Sequence, residues 1–374
     1  MTSLIVGAGP VGLALALALH RQGIAFRQVD KAPAPSIHSK ALGVQARTLE
    51  ALAPFGVDAA ILRAAQRPEG VVLHLGRTAV PVPLSHAVHG RHPSMSLLPQ
   101  AETERLLAEA LAATGAPLPE RGVEVVAADA ATGRVTLRHA DGREETSDYD
   151  HLLGCDGAHS TLRKSAGIGF SGAAYEEQCV LADGRATGLS SANLHVHPGQ
   201  GSALIFFPLP GGRWRAVAML PPDSPAPAEG DLRHFQAPGV AFSDPVWWSA
   251  FRISHRIADR FRQGRVTLMG DAAHIHSPAG GQGMNLGIQD ACSLALALPG
   301  GERALEAWAA ERRRVAAMVV ARTDAMTRVV LGHSPGIRTM RAVALRVMPR
   351  IPSVRRRLER GLAGLDYPAI TAPV

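Results

Sequence analysis

The first thirty residues have the hydrophobic pattern of a strand, a helix and a second strand. Residues 4–6 (LIV) form a short apolar run that is typical of a buried parallel strand. The alanine- and leucine-rich segment that follows the next glycines predicts a helix to about His20, and Gly23 is placed to end it. Residues 24–29 predict a second strand, which closes with Asp30. This order of elements indicates the start of a parallel βαβ sheet.

The spacing of the apolar residues changes several times between residues 71 and 153. Valine and leucine runs broken by Gly and Pro predict strands within residues 71–98. Apolar residues at helical spacing predict a helix over residues 100–113. Alternation over residues 123–150, with Asp-Gly at 141–142, predicts a β-hairpin. The apolar run at 151–153 predicts another buried strand.

Alternation becomes dominant over residues 176–255, which predicts an antiparallel sheet. Residues 266–269 return to the pattern of a buried strand. Helices are predicted at 286–298 and 305–328, and the arginine-rich tail from Gly336 is also predicted to be helical.

Three glycines between the first strand and the first helix form the pattern Gly7-x-Gly9-x-x-Gly12, with Pro10 at the helix start. In a dinucleotide-binding turn, the first glycine permits the turn and the second lets the backbone approach a pyrophosphate. The third lets the helix pack closely on the strand. Asp30 would accept hydrogen bonds from the ribose hydroxyls. The motif predicts an adenine dinucleotide, and by itself it does not distinguish NAD from FAD.

A second glycine-rich run, GDAAHIHSPAGGQGMN, occupies residues 270–285 directly after a predicted strand. Asp271 at the strand end suits the hydroxyls of an extended cofactor. The glycines at 280, 281 and 283 let backbone amides approach a ligand and lead into a helix. A helix N-terminus carries about half a positive charge, worth on the order of 0.3–2 kcal/mol to an anion beside it. Such an end would favour an anionic reduced flavin, so this run favours FAD.

Composition and charge narrow the classes of partner. The formal net charge is +7, but the arginines are scattered apart from a cluster at 355–357, and no zinc-finger or RNA-binding motif accompanies them. An anionic cofactor or substrate explains part of the charge, and we expect no nucleic-acid partner. The three cysteines lack CxxC spacing, so we expect no metal site and a cytoplasmic location. No uninterrupted apolar run reaches the ~20 residues that span a bilayer, so no membrane association is expected.

Three segments carry a family resemblance. GAGPVGL at 7–13, GCDGAHSTLRKSAGI at 154–168 and GRVTLMGDAAHIHSPAGGQGMNLGIQDA at 264–291 occur in this order. Together they resemble the FAD-dependent aromatic hydroxylases, the single-component flavoprotein monooxygenases related to p-hydroxybenzoate hydroxylase. The resemblance implies that NAD(P)H reduces FAD and that O2 adds at flavin C4a to give a hydroperoxide. Its distal oxygen then passes to an activated, phenolic or electron-rich aromatic ring.

The resemblance also implies which residues contact the cofactor. Lys40 stands where relatives commonly have arginine, which keeps the charge but loses a bidentate phosphate contact. The helix after the second glycine-rich run departs from the family pattern at residues 290–297, which bears on helix packing more than on chemistry. The predicted cofactor contacts are Gly7, Gly9, Pro10, Gly12, Asp30, Lys31, Lys40, Arg47, Gln100, Asp156, Gly157, Arg163, Gly270, Asp271, Pro278, Gly281, Gly283, Met284 and Asn285.

The predicted fold is α/β, with a Rossmann-like, mostly parallel FAD-binding domain and an inserted mixed or antiparallel β-sheet substrate domain. The FAD-binding domain is expected to be discontinuous, over 1–70, 96–175 and 265–330. The substrate domain is expected over 71–95 and 176–264, and a C-terminal helical segment over 331–374.

Candidate residues for substrate and catalysis are fewer. Pro278 matches the proline whose carbonyl faces substrate in the family, and His276 lies close to it; these are the predicted catalytic residues. His195, His197, Phe206, Pro278 and Ala279 are the predicted substrate contacts. His195 and His197 alternate with apolar residues and so share a sheet face, which either meets the flavin or faces solvent. Phe206 either lines the pocket or fills the core.

The sequence therefore predicts a monomeric or homodimeric enzyme that uses FAD, NADPH or NADH, and O2 to hydroxylate a small aromatic molecule. Two alternatives use the same residues. One is a flavin-dependent reductase or oxidase without oxygen transfer. The other is a non-catalytic protein that binds flavin or an aromatic ligand.

Overall fold

The structure is a computed structural model that describes residues 2–37, 41–85, 92–199, 201–225, 227–277, 281–331 and 351–370. The strands, in chain order, are β1 (Ser3–Val6), β2 (Phe26–Asp30), β3 (Gly43–Gln45), β4 (Gly70–Leu75), β5 (Thr78–Pro83), β6 (Met95–Leu97), β7 (Glu120–Arg121), β8 (Val123–Ala128), β9 (Arg134–His139), β10 (Glu144–Asp148), β11 (His151–Gly154), β12 (Phe170–Thr187), β13 (Asn193–Pro198), β14 (Ala203–Pro208), β15 (Trp214–Leu220), β16 (Ala241–Ala258), β17 (Arg262–Gln263), β18 (Val266–Leu268) and β19 (His274–Ile275). The α-helices are α1 (Pro10–Arg21), α2 (Ala46–Leu52), α3 (Val57–Ala64), α4 (Gln100–Ala113), α5 (Thr161–Ser165), α6 (Gly283–Ala297), α7 (Gly301–Leu331) and α8 (Pro352–Leu362).

A six-stranded sheet forms the nucleotide-binding part, in the order β17-β18-β11-β1-β2-β7. Strand β1 lies between β2 and β11 and is parallel to both, and β18 continues the parallel set. The predicted βαβ start is confirmed, because α1 joins these parallel strands. The turns after β1, β2, β11 and β18 therefore meet at one edge of the sheet, where open α/β sheets bind ligands.

An eight-stranded sheet, in the order β19-β16-β12-β15-β14-β13-β4-β5, forms the second layer. Its pairs are antiparallel apart from β13 and β4, so the predicted mixed or antiparallel character is confirmed. Strand β12 begins at Phe170, before the predicted boundary at 176, and β19 joins this sheet from beyond residue 264. The exact division into domains stays a prediction.

Three local predictions match the described elements. Helix α4 has the predicted bounds. Strands β9 and β10 form the predicted hairpin, with Gly142 at a φ of 84° in the turn. The tail is helical at α8, whereas the part of its predicted helix at 336–350 lies outside the described residues. In the part of the chain that the structure describes, no helix is both long enough and apolar enough to span a bilayer.

A buried carboxylate connects α6 to its surroundings. Asp290 has no exposed surface, and its Oδ1 accepts a hydrogen bond from Arg312 Nε at 2.6 Å. Its Oδ2 accepts from His274 Nε2 at 2.7 Å and from the Gly270 backbone N–H at 3.3 Å. Burial alone would raise the pKa of Asp290, but Arg312 and His274 offset it and hold the pKa below its usual range. Asp290 therefore joins α6, α7 and the turn after β18.

We expect Asp290→Asn to lower the free energy of unfolding by about 3–5 kcal/mol, because it leaves the Arg312 guanidinium buried without a carboxylate. The control is Asp148→Asn, an exposed acid paired with Arg134, for which the loss is at most about 1 kcal/mol. Urea unfolding of both variants and the parent measures the difference. Equal losses for the two variants would contradict the structural role of Asp290.

Candidate functional site

The turn after β1 uses its three glycines in different ways. A Cβ on Gly7, whose φ is 107°, would lie 2.3 Å from the Cys155 carbonyl oxygen. A Cβ on Gly12 would lie 2.1 Å from the Gly7 carbonyl oxygen. A Cβ on Gly9 would meet nothing closer than Glu104 Oε1, at 4.0 Å. Packing within the protein explains Gly7 and Gly12, whereas Gly9 borders open space at the N-terminus of α1.

Asp30 lies beside this turn at the end of β2. Its Oδ2 accepts a hydrogen bond from the Ala8 backbone N–H at 2.6 Å, and its Oδ1 accepts from Ala32 at 2.8 Å. Arg121 Nη1 is 3.6 Å from Oδ2, and the neighbouring Lys31 is exposed. Each carboxylate oxygen has a second lone pair, so Asp30 keeps the capacity to accept a ribose hydroxyl.

The turn after β11 holds Asp156 and Gly157. Asp156 Oδ2 accepts hydrogen bonds from the backbone amides of Thr161 and Leu162, at 2.7 and 3.2 Å, and so caps α5. Burial raises the pKa of Asp156. Gly157 has a φ of 76°, which favours glycine.

Arg163 connects this turn to the one after β18. Its Nη1 donates to the Ala272 carbonyl at 2.8 Å and its Nη2 to the Ala158 carbonyl at 2.8 Å. Its guanidinium also lies 3.9 Å from the ring centre of Phe170. In this arrangement the Arg163 guanidinium connects the turn after β11 to the turn after β18, and it does not present a free charge to a phosphate.

Asp271, in the turn after β18, is exposed at the surface of the site. The protein around it nevertheless desolvates the carboxylate and raises its pKa. Among the described residues, no hydrogen bond to the Asp271 carboxylate is found, so it is available to a ligand that binds at this edge of the sheet.

The start of α6 forms the far end of the site. Gly281, with a φ of 62°, and Gly283 both have room for a Cβ, the nearest atoms being 3.9 and 3.8 Å away. Met284 is buried. The Asn285 side chain donates to the carbonyls of Gly281 and Gly43, at 2.6 and 2.7 Å, and accepts from the Gln45 amide at 2.9 Å. Asn285 therefore fixes the loop before α6 against β3, with its side chain committed to the protein.

Two further predicted contacts also have partners within the protein. Arg47 is buried, ion-paired with Glu50, and donates to the Tyr367 carbonyl at 3.4 Å. Gln100 begins α4, and its Nε2 donates to Glu104 Oε1 at 2.7 Å. Lys40, Pro278 and Ala279 lie outside the described residues.

His276 is buried next to the start of α6, where its Cε1 is the nearest atom, at 3.8 Å, to a Cβ built on Gly283. Desolvation lowers its pKa to about 4, with a further contribution from His274. A base is most effective when its pKa is near the working pH. This environment is therefore unfavourable to His276 as the group that ionises a phenol, although a neutral imidazole still forms hydrogen bonds.

The eight-stranded sheet places three of the predicted substrate contacts, His195, His197 and Phe206, on one face. His195 is paired with Phe206 across β13 and β14, and Phe206 with Ala216 across β14 and β15. Phe206 packs in a buried cluster with Trp214 and Phe235, and His195 is 5 % exposed. The alternative that His195 faces solvent is therefore wrong.

The opposite face of this sheet meets the nucleotide-binding part. Phe207 and Leu194 pack there against Leu42, Met95 and Leu97. His195, His197 and Phe206 point away from this contact, which is unfavourable to their predicted role as substrate contacts. The alternation had shown correctly that the two histidines share a face.

The sequence reasoning missed a buried ion pair on the inner face, which is the face of the eight-stranded sheet that carries Phe207 and meets the nucleotide-binding part. Arg215 is 2 % exposed and pairs with Asp183 through two hydrogen bonds, at 2.7 and 2.8 Å. Its Nη1 also donates to the Ala41 carbonyl at 3.3 Å, and Trp247 lies under the guanidinium at 5.1 Å. In the sequence, only the presence of Arg215 within the apolar run WRAVAML indicated an unusual buried charge.

A third histidine was also missed. His74 Nε2 lies 3.0 Å from His195 Nδ1, and the His74 ring stacks on His197 at 4.0 Å. Burial lowers the pKa of His74, and it lowers that of His197 to about 4. Among the residues described, no set of three or more His, Cys, Asp or Glu side chains is arranged to hold a metal ion.

The arrangement fits an extended dinucleotide. Gly9 leaves space at one helix N-terminus, and the accessible Asp271 lies along the same sheet edge. Glycines at 281 and 283 leave space at a second helix N-terminus. FAD would be held at its pyrophosphate by the first helix, at its hydroxyls by Asp30 and Asp271, and at its ring by the second helix.

The chain is similar to known FAD-dependent proteins over most of its length. The FAD binding domain family matches residues 1–323. An alignment of 396 residues gives 35% identity to 6-methylpretetramide 4-monooxygenase from Streptomyces rimosus, covering 99% of this chain and 70% of that protein. Pentachlorophenol 4-monooxygenase from Sphingobium chlorophenolicum is 32% identical, over 89% of this chain and 66% of its own length. The chain thus spans about two thirds of these relatives.

Solved structures of aromatic hydroxylases share the fold of this chain. The anhydrotetracycline hydroxylase OxyS from Streptomyces rimosus has a TM-score of 0.78 at 32% identity, over 98% of this chain and 77% of that one. The p-nitrophenol 4-monooxygenase PnpA from Pseudomonas putida has a TM-score of 0.84 at 23% identity, over 98% of this chain and 99% of that one, which shows a shared fold. The family match over most of the sequence confirms the resemblance carried by the three motifs. The chain belongs to the FAD binding domain family, among the FAD-dependent aromatic monooxygenases related to p-hydroxybenzoate hydroxylase.

Proposed function

We propose that the protein uses NAD(P)H and O2 to hydroxylate a phenolic or otherwise electron-rich aromatic molecule. The observation that carries the proposal is that Gly9, with space for a Cβ at the N-terminus of α1, and the exposed Asp271 lie at the same edge of the six-stranded sheet, where FAD would fit. Bound FAD would accept a hydride from NAD(P)H and activate O2 for transfer of one oxygen atom. The relatives are named as monooxygenases of 6-methylpretetramide and of pentachlorophenol, which supports an aromatic substrate here.

The residues of this chain would bind, orient and shield. The N-terminus of α1 would stabilise the pyrophosphate charge, since its first backbone amides have no partner within the helix. Asp30 and Asp271 would accept the hydroxyls on either side of it. Phe207 lies on the inner face of the eight-stranded sheet, where an aromatic ring beside the flavin would be enclosed. Excluding water there favours oxygen transfer over wasteful release of H2O2.

The ion pair of Arg215 and Asp183 gives the inner face a fixed polar group. Because both guanidinium-to-carboxylate hydrogen bonds are made, the pair holds its geometry without a ligand. It also reaches the Ala41 carbonyl, close to the β3 strand that Asn285 anchors. We propose that this pair orients the eight-stranded sheet against the nucleotide-binding part. We also propose that a group other than His276 is the base that ionises the substrate.

Oxygen transfer is the direct test. With FAD, NADPH or NADH, and a panel of phenols, polyketide-like aromatics and hydroxylated heterocycles, we expect oxygen uptake coupled to a hydroxylated product. Mass spectrometry with 18O2 should show one labelled oxygen atom in that product. Substrate-stimulated NAD(P)H oxidation that yields only H2O2 or a reduced product would favour a reductase or oxidase. A flavin that NAD(P)H never reduces would favour a binding protein.

Asp271→Ala should weaken FAD binding about tenfold to a hundredfold, since a hydrogen bond to a charged group contributes about 1.5–3 kcal/mol. FAD titration followed by flavin fluorescence measures the dissociation constant. Asp148→Ala, which removes an exposed acid in β10, is the control and should bind FAD like the parent. Unchanged affinity in Asp271→Ala would contradict the assignment of Asp271 to the cofactor.

The glycine turn offers a matched pair. Gly9→Ala should lower the free energy of unfolding of the FAD-free protein by less than about 1 kcal/mol, because Gly9 has a φ of −77° and space for a Cβ. It should weaken FAD binding, because the Cβ would enter the space of the pyrophosphate. Gly12→Ala should instead lower the free energy of unfolding by about 1–3 kcal/mol through its clash with the Gly7 carbonyl.

Thermal or urea unfolding without FAD, combined with FAD titration, separates these two effects. If Gly9→Ala binds FAD as tightly as the parent, the turn does not approach the pyrophosphate and the placement of the cofactor there is wrong.

A further inference from the structure

The C-terminal segment, residues 352–367, lies outside the part of the chain matched by the family, which ends at residue 323. It nevertheless contacts both the eight-stranded sheet and the nucleotide-binding part. Leu362 joins the cluster of Leu42, Met95 and Leu97 on the inner face. Glu359 is buried and accepts hydrogen bonds from the Ser85 amide and from Ser94 Oγ.

Tyr367 is the residue of this segment that reaches the predicted cofactor site. Its side chain is 3 % exposed, and its hydroxyl donates to Gln282 Oε1 at 2.6 Å. The same hydroxyl accepts from Arg322 Nη2 at 2.6 Å. Burial raises the pKa of Tyr367 to about 12, so the hydroxyl stays protonated near neutral pH and can donate the hydrogen bond to Gln282.

Gln282 is the residue that precedes α6. Its backbone carbonyl accepts from the Leu286 N–H at 2.9 Å, in the first turn of the helix, and its side chain is buried. Gln282 Nε2 points to the Gly361 carbonyl at 3.4 Å, which is a second contact with the C-terminal segment. The segment therefore holds Gln282 at the point where the α6 backbone begins.

The segment also contacts a second predicted cofactor residue. The Arg47 backbone N–H donates to the Ala363 carbonyl at 3.1 Å, and its Nη2 donates to the Tyr367 carbonyl at 3.4 Å. Arg47 and the start of α6 are both predicted to contact FAD, and the C-terminal segment forms hydrogen bonds with both of them. These hydrogen bonds come from a part of the chain outside the family match.

We propose that Tyr367 is a positioning residue that acts through Gln282 to hold the start of α6 in the orientation that receives the ring end of FAD. This inference rests on FAD binding and not on hydroxylation. Without the hydroxyl, Gln282 Oε1 loses the hydrogen bond from Tyr367, and the loss of a buried hydrogen bond is costly. The Gln282 side chain would then seek another partner, and the backbone at Gly283 would move with it.

The test compares Tyr367→Phe with Tyr175→Phe. The Tyr175 hydroxyl also donates a 2.6 Å hydrogen bond, but to Asp324 near the C-terminal end of α7, so the control removes the same atom away from the start of α6. We expect FAD binding to weaken about fivefold to twentyfold in Tyr367→Phe and less than twofold in Tyr175→Phe. The rise in unfolding temperature that FAD causes should shrink in the first variant only, and its bound flavin should have a more negative midpoint potential.

A structural role alone would give a different result. In that case Tyr367→Phe would lower the unfolding temperature equally with and without FAD, and the dissociation constant and midpoint potential would stay at the parent values. That result would overturn the proposal. A protein that binds and positions FAD as predicted but hydroxylates no aromatic compound would defeat the proposed function and leave this inference standing.

A double-mutant cycle tests the route through Gln282. If Tyr367 acts through this side chain, Gln282→Leu and the double variant Gln282→Leu/Tyr367→Phe should bind FAD with the same weakened affinity. Multiplicative weakening in the double variant would show that the two residues act independently and would overturn the proposed route. Gln282→Leu keeps the test decisive if Tyr367→Phe proves too unstable to purify.

Discussion

The burial of the Asp290 carboxylate is the constraint on which the site depends. A charge without exposed surface is tolerated when hydrogen-bond donors surround it, and removing one of them is expensive. Asp290 obtains its donors from Arg312 on α7, from His274 and from the backbone of Gly270. The Asp290 side chain therefore links the turn that presents Asp271 to the helix that begins at Gly283.

The elements that the sequence predicted best are those whose causes are local. The glycine turn and α4 follow from short-range periodicity and from glycine geometry, and the structure has both. The orientation of the eight-stranded sheet is a long-range property. Alternation showed that His195 and His197 share a face, but only the packing of Phe207 against Leu42 identifies the inner face.

The Arg215–Asp183 pair shows the same limit for charged residues. The two lie opposite each other on β15 and β12, so their contact depends on the register of two distant strands. An arginine within an apolar strand indicates an unusual environment, but the sequence cannot identify its carboxylate. Arg163 is the converse case. Its motif implied a phosphate contact, whereas its donors reach the Ala272 and Ala158 carbonyls and connect two turns.

The strongest argument for where a ligand binds comes from residues that the protein does not use for itself. Gly7 and Gly12 are required by neighbouring carbonyls, and Asn285 is fully engaged by backbone groups. Gly9 has no such neighbour, and among the described residues Asp271 receives no hydrogen bond although the protein around it raises its pKa. Because Asp271 is exposed, a ligand hydroxyl can donate to its carboxylate. The glycine without a packing role and the acid without a donor among the described residues lie at the same edge of the six-stranded sheet, and this is the edge where open α/β sheets bind ligands.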